Sequence, residues 1–248
     1  MTASSNKTAI VTGSSRGIGA AIARRLAADG FNLVINYAGR AADAARVVNE
    51  IESAGGQAIA IQADVSNVSE VTAMFDQTEQ TYGGIDVIIN NAGVMQPGLV
   101  PLADIDDAWF DRLFSINVKG TFNTLRLAAT RLRQGGRIVN FSSSVIGLAL
   151  PGYAAYGATK AAVEMMTNIF AKELRGREIT VNAVAPGPTA TDLFLNGKTP
   201  EQIAGMAKLA PLERLGSPDD IAGVVSFLVG PDGTWVNGQT IRANGGMV

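Results

Sequence analysis

The sequence predicts an α/β fold: a Rossmann-type, doubly wound parallel sheet of about seven strands with helices on both faces. Three observations carry this. Short apolar runs of strand length alternate with amphipathic stretches of helix length along the chain, the pattern that builds right-handed crossover units. The strand-like runs are apolar almost throughout rather than at every second residue, as strands covered on both faces must be. Glycine or proline closes nearly every segment. With 248 residues, 47% of them hydrophobic, the chain can bury one substantial core. No linker or internal repeat divides it, so one domain over 1–248 is expected.

The elements follow in order. Lys7–Thr12 is a short apolar run that leads into glycine, and Ile18–Asp29 has helical spacing of its apolar residues and stops at Gly30. Phe31–Tyr37 is the second strand, and Arg40–Ala54 the second helix, ended by Gly55 and Gly56. Gln57–Gln62 is the third strand and leads to Asp64; a helix from about Ser69 to Tyr82 ends at Gly83 and Gly84. Ile85–Ile89 is the fourth strand. One long helix is predicted over Asp106–Arg133, with Gly135 and Gly136 as its stop, before the fifth strand Arg137–Phe141. A helix from Tyr156 to about Arg175, the strand Ile179–Val184, a helix over Pro218–Leu228 and a last strand Gln239–Arg242 complete the order. Residues 189–215 read as an irregular insertion, either a substrate lid or a helical excursion.

Composition excludes several chemistries. The net charge of −2, with no basic run, argues against nucleic acid or an anionic membrane as partner. Cysteine and histidine are both absent, which removes disulfides, thiolate catalysis, Ser-His-Asp hydrolysis and imidazole metal sites; no metal is expected. The segment Met1–Lys7 is polar, and no stretch approaches the ~20 apolar residues of a membrane span. A cytoplasmic address is expected.

The first strand is joined to the first helix by Thr12-Gly13-Ser14-Ser15-Arg16-Gly17-Ile18-Gly19. Glycines there let backbone N–H groups approach a pyrophosphate at a helix N-terminus, although the spacing departs from G-x-G-x-x-G. Gly13, Ser15, Arg16, Gly17, Ile18 and Gly19 are therefore candidate nucleotide contacts. A dinucleotide site usually carries an acid at the end of the second strand, for the ribose 2′-hydroxyl. This strand instead ends Asn36-Tyr37-Ala38-Gly39-Arg40. Asn36 and Tyr37 are candidate contacts, while Arg16 and Arg40 offer guanidinium forks suited to a 2′-phosphate. The expected cofactor is NADP(H).

Tyr156 and Lys160 are four apart on a predicted helix, so their side chains share a face. A cation beside a phenol favours the phenolate and brings its pKa towards the range of acid–base work.

Together with Asn90-Asn91-Ala92-Gly93, Asn117 and Ser142-Ser143-Ser144, these motifs make the chain resemble the single-domain short-chain dehydrogenases/reductases, over nearly its whole length. Within them it is most similar to ketoreductases of the 3-oxoacyl-(acyl carrier protein) reductase kind. The resemblance implies that Tyr156 exchanges a proton with the substrate oxygen while hydride moves to or from the nicotinamide. It implies that Lys160 lowers the tyrosine pKa and bonds the nicotinamide ribose, and that Asn117 holds a water which relays protons from Lys160. A serine would hold the carbonyl oxygen. The family's spacing, thirteen residues before the tyrosine, gives Ser143, while an insertion would promote Ser144. Further cofactor contacts implied are Asp64 and Val65 at the adenine, Asn91, Ala92 and Gly93 at the adenosine ribose, and Pro186, Gly187, Thr189 and Thr191 at the nicotinamide.

The leading expectation is an NADPH-dependent ketoreductase that interconverts a carbonyl and a secondary alcohol. The alternatives are a sugar or polyol dehydrogenase on the same machinery, and a nucleotide-binding regulator without turnover. Leu148, Leu150, Tyr153, Phe194 and Leu195 are expected as apolar pocket walls. An acyl-carrier partner would need basic residues at the pocket mouth, for which Arg126, Arg131 and Arg133 are the candidates. The Tyr156–Arg175 helix carries more apolar surface than one core-facing stripe needs. The resemblance connects that excess to a homotetramer.

Overall fold

The structure, a computed structural model, describes residues 6–248; residues 1–5 of the polar first segment lie outside the described residues. Seven strands, β1 (Thr8–Val11), β2 (Asn32–Tyr37), β3 (Gln57–Gln62), β4 (Ile85–Asn90), β5 (Leu132–Phe141), β6 (Thr180–Pro186) and β7 (Thr240–Ala243), form one sheet. Its order is β3-β2-β1-β4-β5-β6-β7, and every pairing is parallel. The helices are α1 (Gly17–Ala28), α2 (Ala41–Ser53), α3 (Val68–Tyr82), α4 (Asp107–Leu113), α5 (Gly120–Arg131), α6 (Val145–Leu148), α7 (Ala154–Glu173), α8 (Asp192–Leu195), α9 (Pro200–Leu209) and α10 (Pro218–Val229).

The continuous apolar runs have the cause read from the sequence, since both faces of each central strand are covered. Along β1, Ala9 and Val11 join a core with Ile22 and Leu26 of α1, Val47 of α2 and Val225 of α10. Ile10, between them, faces the opposite core, with Phe75 of α3, Leu125 of α5 and Leu174 just beyond α7.

The predicted helix Asp106–Arg133 is corrected in two ways. A π-helical turn, Phe114–Lys119, separates α4 from α5. Its extra residue changes the facing of side chains along the helix, and Asn117, buried within it, clamps both backbone groups of Val94. The helix also stops at Arg131 instead of reaching Gly135. Leu132 already pairs with Ile85 while Arg137 pairs with Val87, so residues 133–136 loop out of the β5 ladder. Gly135 (φ +75°) supplies the left-handed turn of that bulge instead of a helix stop. The segment 189–215, for which the sequence left a lid or a helical excursion open, carries two helices, α8 and α9. Thr199 caps α9 through a reciprocal pair with Gln202, with Pro200 at its first position, a start signal written in the sequence.

A buried polar chain ties α5 and α7 to the sheet. Thr124 Oγ1 donates to Asn90 Oδ1 (2.7 Å), Asn90 Nδ2 to Asn140 Oδ1 (2.8 Å), and Asn140 Nδ2 to Thr167 Oγ1 (2.8 Å). Each member is at most 4% exposed, so each bond replaces water that cannot reach it. Thr167→Val would leave the Asn140 amide without its acceptor. The expected loss is about 1–3 kcal/mol, read as a lower urea midpoint at unchanged slope; an unaltered midpoint would show that the chain adds nothing to stability.

Candidate active site

The strand order reverses between β1 and β4, and in such sheets the ligand crevice opens beyond the carboxyl ends of the strands at that point. The loop after β1 lies there. Gly13 (φ +62°) and Gly17 (φ +56°) adopt left-handed conformations, and a Cβ on Gly19 would fall 2.5 Å from Asn91 Nδ2. Three side chains hold the loop. Asn36 Oδ1 accepts from Gly13 N (3.1 Å), Asn91 Nδ2 donates to the Thr12 and Gly13 carbonyls (2.9 and 3.1 Å), and Thr12 Oγ1 accepts from the N–H groups of Asn91 and Ala92 (3.0 Å each). The first turn of α1 has no acidic residue and no side-chain cap, so its free N–H groups favour an anion.

A cavity of about 750 Å³ lies against this loop. Gly13, Ser15, Arg16, Gly17, Ile18, Gly19, Asn36, Tyr37, Arg40, Asp64, Val65, Asn91, Ala92, Gly93 and Thr191 all line it. Arg16 pairs with Asp192 of α8 and Arg40 with Asp43, both at 3.3 Å and both open to solvent, so neither guanidinium is strongly held. The Asp64 carboxylate is turned to Ser66, accepting from its N–H and its hydroxyl (2.9 and 2.7 Å). Arg112 and Ile116 also line this cavity and escaped the sequence reading. Their four-residue spacing was a usable signal, hidden by the assumption of one long uniform helix.

A smaller cavity of about 160 Å³ adjoins the first and shares Ile18, Asn91, Gly93, Thr191 and Leu193 with it. Ser143, Tyr156, Lys160, Pro186, Gly187 and Thr189 line it. So do Leu148, Leu150, Tyr153 and Phe194, joined by Met95 and Met206; Leu195 does not reach it. Arg126, Arg131 and Arg133 line neither cavity. Arg131 instead pairs with Asp76 and Glu79, and Arg133 with Asp86.

The three serines after β5 have different surroundings. Ser142 donates to Glu164 Oε1 (2.6 Å), and Ser144 donates to the Ala185 carbonyl (3.1 Å) while accepting from Asn244 (3.0 Å). Ser143 accepts only a long bond from Val145 N (3.3 Å), and it lines the same cavity wall as Tyr156. Thr189 and Thr191 bond the Gly187 and Thr189 carbonyls respectively.

Within α7, Lys160 Nζ lies 5.6 Å from the Tyr156 ring centroid and donates to the Phe141 carbonyl (2.9 Å). Burial pushes the lysine down to about 8. It pushes Tyr156 up to about 12, against the opposing effect of Ser143. This reverses the direction expected for the tyrosine in the absence of a ligand. The penalty for a phenolate out of bulk water exceeds the help available, and Lys160 is directed at Phe141. Asn117 lines neither cavity. Its amide bonds Val94 and Thr159 Oγ1 (3.1 Å), and Thr159 bonds the Tyr156 carbonyl (2.7 Å). A Cβ on Gly93 would lie 3.3 Å from Asn117 Oδ1 and 3.5 Å from Lys160 Nζ, so the missing side chain leaves room between them.

Between pH about 8 and the ordinary 10.5, the unfolded chain holds a proton on Lys160 that the folded protein lacks. Stability should therefore rise with pH across that window. Tyr156, displaced upward, lowers stability only above pH 10. Lys160→Met should abolish the rise and leave the protein near pH 7 more stable by up to roughly 3 kcal/mol. Urea unfolding at a series of pH values tests this, and an identical pH dependence in the variant would refute it.

The family model described as enoyl-(acyl carrier protein) reductase matches residues 13–248. The chain is 47% identical to an NADPH-dependent aldehyde reductase-like protein of Arabidopsis thaliana over 254 aligned positions, covering 98% of this chain and 94% of that one. It is 45% identical to a short-chain type dehydrogenase/reductase of Picea abies, over 98% of this chain and 92% of the relative. A crystal structure of a short chain dehydrogenase from Burkholderia cenocepacia in complex with NADP superimposes with a TM-score of 0.91 at 39% identity, covering 97% of each chain. On this similarity along almost its whole length, the chain belongs to the short-chain dehydrogenase/reductase family of oxidoreductases.

Proposed function

We propose that this protein is an NADPH-dependent ketoreductase that reversibly reduces a carbonyl to a secondary alcohol. The observation that carries the reading is the meeting of two cavities, one edged by uncapped helix N–H groups and two loosely held arginines, the other largely apolar with Ser143 and Tyr156 on its wall. The glycine cradle and the anion-favouring first turn of α1 suit a pyrophosphate. Arg16 and Arg40, with no acid at the end of β2, suit a 2′-phosphate. The names of the Arabidopsis and Burkholderia relatives, which carry NADPH and NADP, agree.

Bound in this cavity, NADPH would supply the hydride. The chain's own residues do the rest. Ser143 donates to the substrate oxygen and orients the carbonyl. Tyr156, neutral because burial holds its proton, delivers that proton to the same oxygen. The phenolate left behind is costly in this site, and the Lys160 ammonium is the cation that offsets it. Asn117 holds the Val94 segment and Thr159, and so positions the start of α7 as well as any water that relays a proton to Lys160. In the oxidative direction the steps reverse, with the phenolate as base.

The apolar walls of the smaller cavity favour this reading over a sugar or polyol dehydrogenase, whose substrate would need several polar partners there. Among the described residues, Lys160 is the only basic side chain that lines that cavity. A non-catalytic regulator would not require the Ser143, Tyr156 and Lys160 grouping. No helix among the described residues is long and apolar enough to cross a membrane, and the reading keeps the cytoplasm as compartment. Self-association to a homotetramer is part of it. Met165 and Ile169 of α7 and Phe122 of α5 are 59%, 48% and 47% exposed, large apolar side chains of the kind that a second copy would cover.

NADPH should be oxidised with a panel of ketones and keto esters, and preferred over NADH. Arg40→Ala should weaken NADPH about tenfold and leave NADH unchanged. Tyr156→Phe should lower turnover by about 100-fold or more with NADPH binding retained. Equal activity of that variant would sink the mechanism, and an NADH preference would remove the phosphate assignment alone. Met165→Glu with Ile169→Glu should reduce the mass measured by light scattering, and an unchanged mass would exclude this face.

A further inference from the structure

The polar side chains around the smaller cavity are nearly all committed to protein partners. Ser142, Ser144, Thr189, Thr191, Asn91 and Lys160 bond other parts of the chain at 2.6–3.4 Å. Two of the remaining hydroxyls, Ser143 and Tyr156, are those that the proposed reaction uses at the reacting oxygen. The third is the phenol of Tyr153, which has no hydrogen-bond partner among the described residues although it stands half-buried on the cavity wall. The backbone fixes its place. Tyr153 is the N-cap residue of α7, its carbonyl accepts from Gly157 N at 2.7 Å, and its ring centroid is 6.5 Å from that of Tyr156 at a tilt of 56°. Leu148, Leu150, Leu193, Phe194 and Met206 supply apolar wall around it.

Resting on the ketoreductase reading, we propose that Tyr153 is a specificity-determining residue whose phenol donates a hydrogen bond to a second oxygen of the substrate. The preferred substrate is then a compact carbonyl compound with one further acceptor oxygen near the reacting carbonyl, as in a keto ester or a diketone, on an otherwise apolar body.

Two physical arguments carry this. The cavity volume of about 160 Å³ is close to the ~150 Å³ that accommodates a benzene ring. Small rings and short chains fit. A phenol sealed under an apolar substrate loses water and gains nothing, whereas an acceptor oxygen restores its bond. Burial also raises the proton affinity of Tyr153, so it remains a neutral donor through the working pH range. Tyr156 serves the reacting oxygen and Tyr153 the second one, which also selects the face of the carbonyl that is presented.

The experiment compares kcat/KM with NADPH for methyl benzoylformate, ethyl acetoacetate and acetophenone, in the wild-type protein, Tyr153→Phe and Tyr153→His. The phenylalanine variant should lose about 10- to 100-fold on the two keto esters, chiefly through KM, and stay within about twofold on acetophenone. The histidine variant, which returns a donor, should recover part of the loss. NADPH binding followed by fluorescence should be unchanged in both. An equal loss on all three substrates, or no loss on the keto esters, overturns the assignment to Tyr153 while leaving the reaction standing. Failure of the wild-type protein to reduce any of the three, with NADPH bound, overturns the ketoreductase reading itself and Tyr153 with it.

Discussion

The hydrogen bond from the Lys160 ammonium to the Phe141 carbonyl fixes the relation of α7 to the carboxyl end of β5, and the site depends on that relation. Lys160 is only 5% exposed. A lone ammonium in such a place is costly, and the depressed proton affinity of this one expresses the cost. One strand residue back, the Asn140 amide reaches Thr167, two turns further along α7. Strand and helix are thus pinned at two points by bonds that water cannot replace. Tyr156 lies in the first turn of the same helix and Ser143 follows the same strand, so this pinning brings both to the wall of one cavity.

The larger cavity depends on a different restraint. Its glycine loop has left-handed turns, and Asn36 and Asn91 from outside the loop, with Thr12 and Ser14 of the loop itself, supply the side-chain bonds that hold it. Asn36 and Asn91 line the cavity, yet their polar groups are committed to the protein. They shape the loop, and the first N–H groups of α1 are left for an anion. Arg16 links this loop to α8 through Asp192, so the segment after β6 is joined electrostatically to the same loop. An anion that draws Arg16 away would weaken that link, which couples the two cavities through an exposed pair of modest strength.

The walls of the smaller cavity come from segments far apart in the chain: the stretch after β4, α6 with the turn that follows it, and α8 with α9. Their shared property is an apolar surface against a pair of hydroxyls. In such surroundings each hydrogen bond is stronger and each unpaired donor more costly than in water. Substrate choice therefore rests on few polar atoms.

By itself the sequence determined the fold class, the strand order in the chain and most element boundaries, because both-face burial forces continuous apolar runs and glycine stops the helices between them. It also placed many of the residues that reach the two cavities, since most of Gly13 to Gly19, Arg40 and the Tyr156–Lys160 pair stand at strand ends and on one helix face. It failed where a local pattern had two physical outcomes. The Asp106–Arg133 periodicity continues across a π turn that only the Asn117 clamp on Val94 specifies, and Gly135 reads equally as a helix stop or a strand bulge until Leu132 is seen beside Ile85. The family's spacing pointed to Ser143, and only the tertiary structure showed that the other two serines are engaged, Ser142 by Glu164 and Ser144 by Ala185 and Asn244. Tertiary structure alone decided the direction of the Tyr156 shift, because spacing brings a cation near but burial sets the cost of charge.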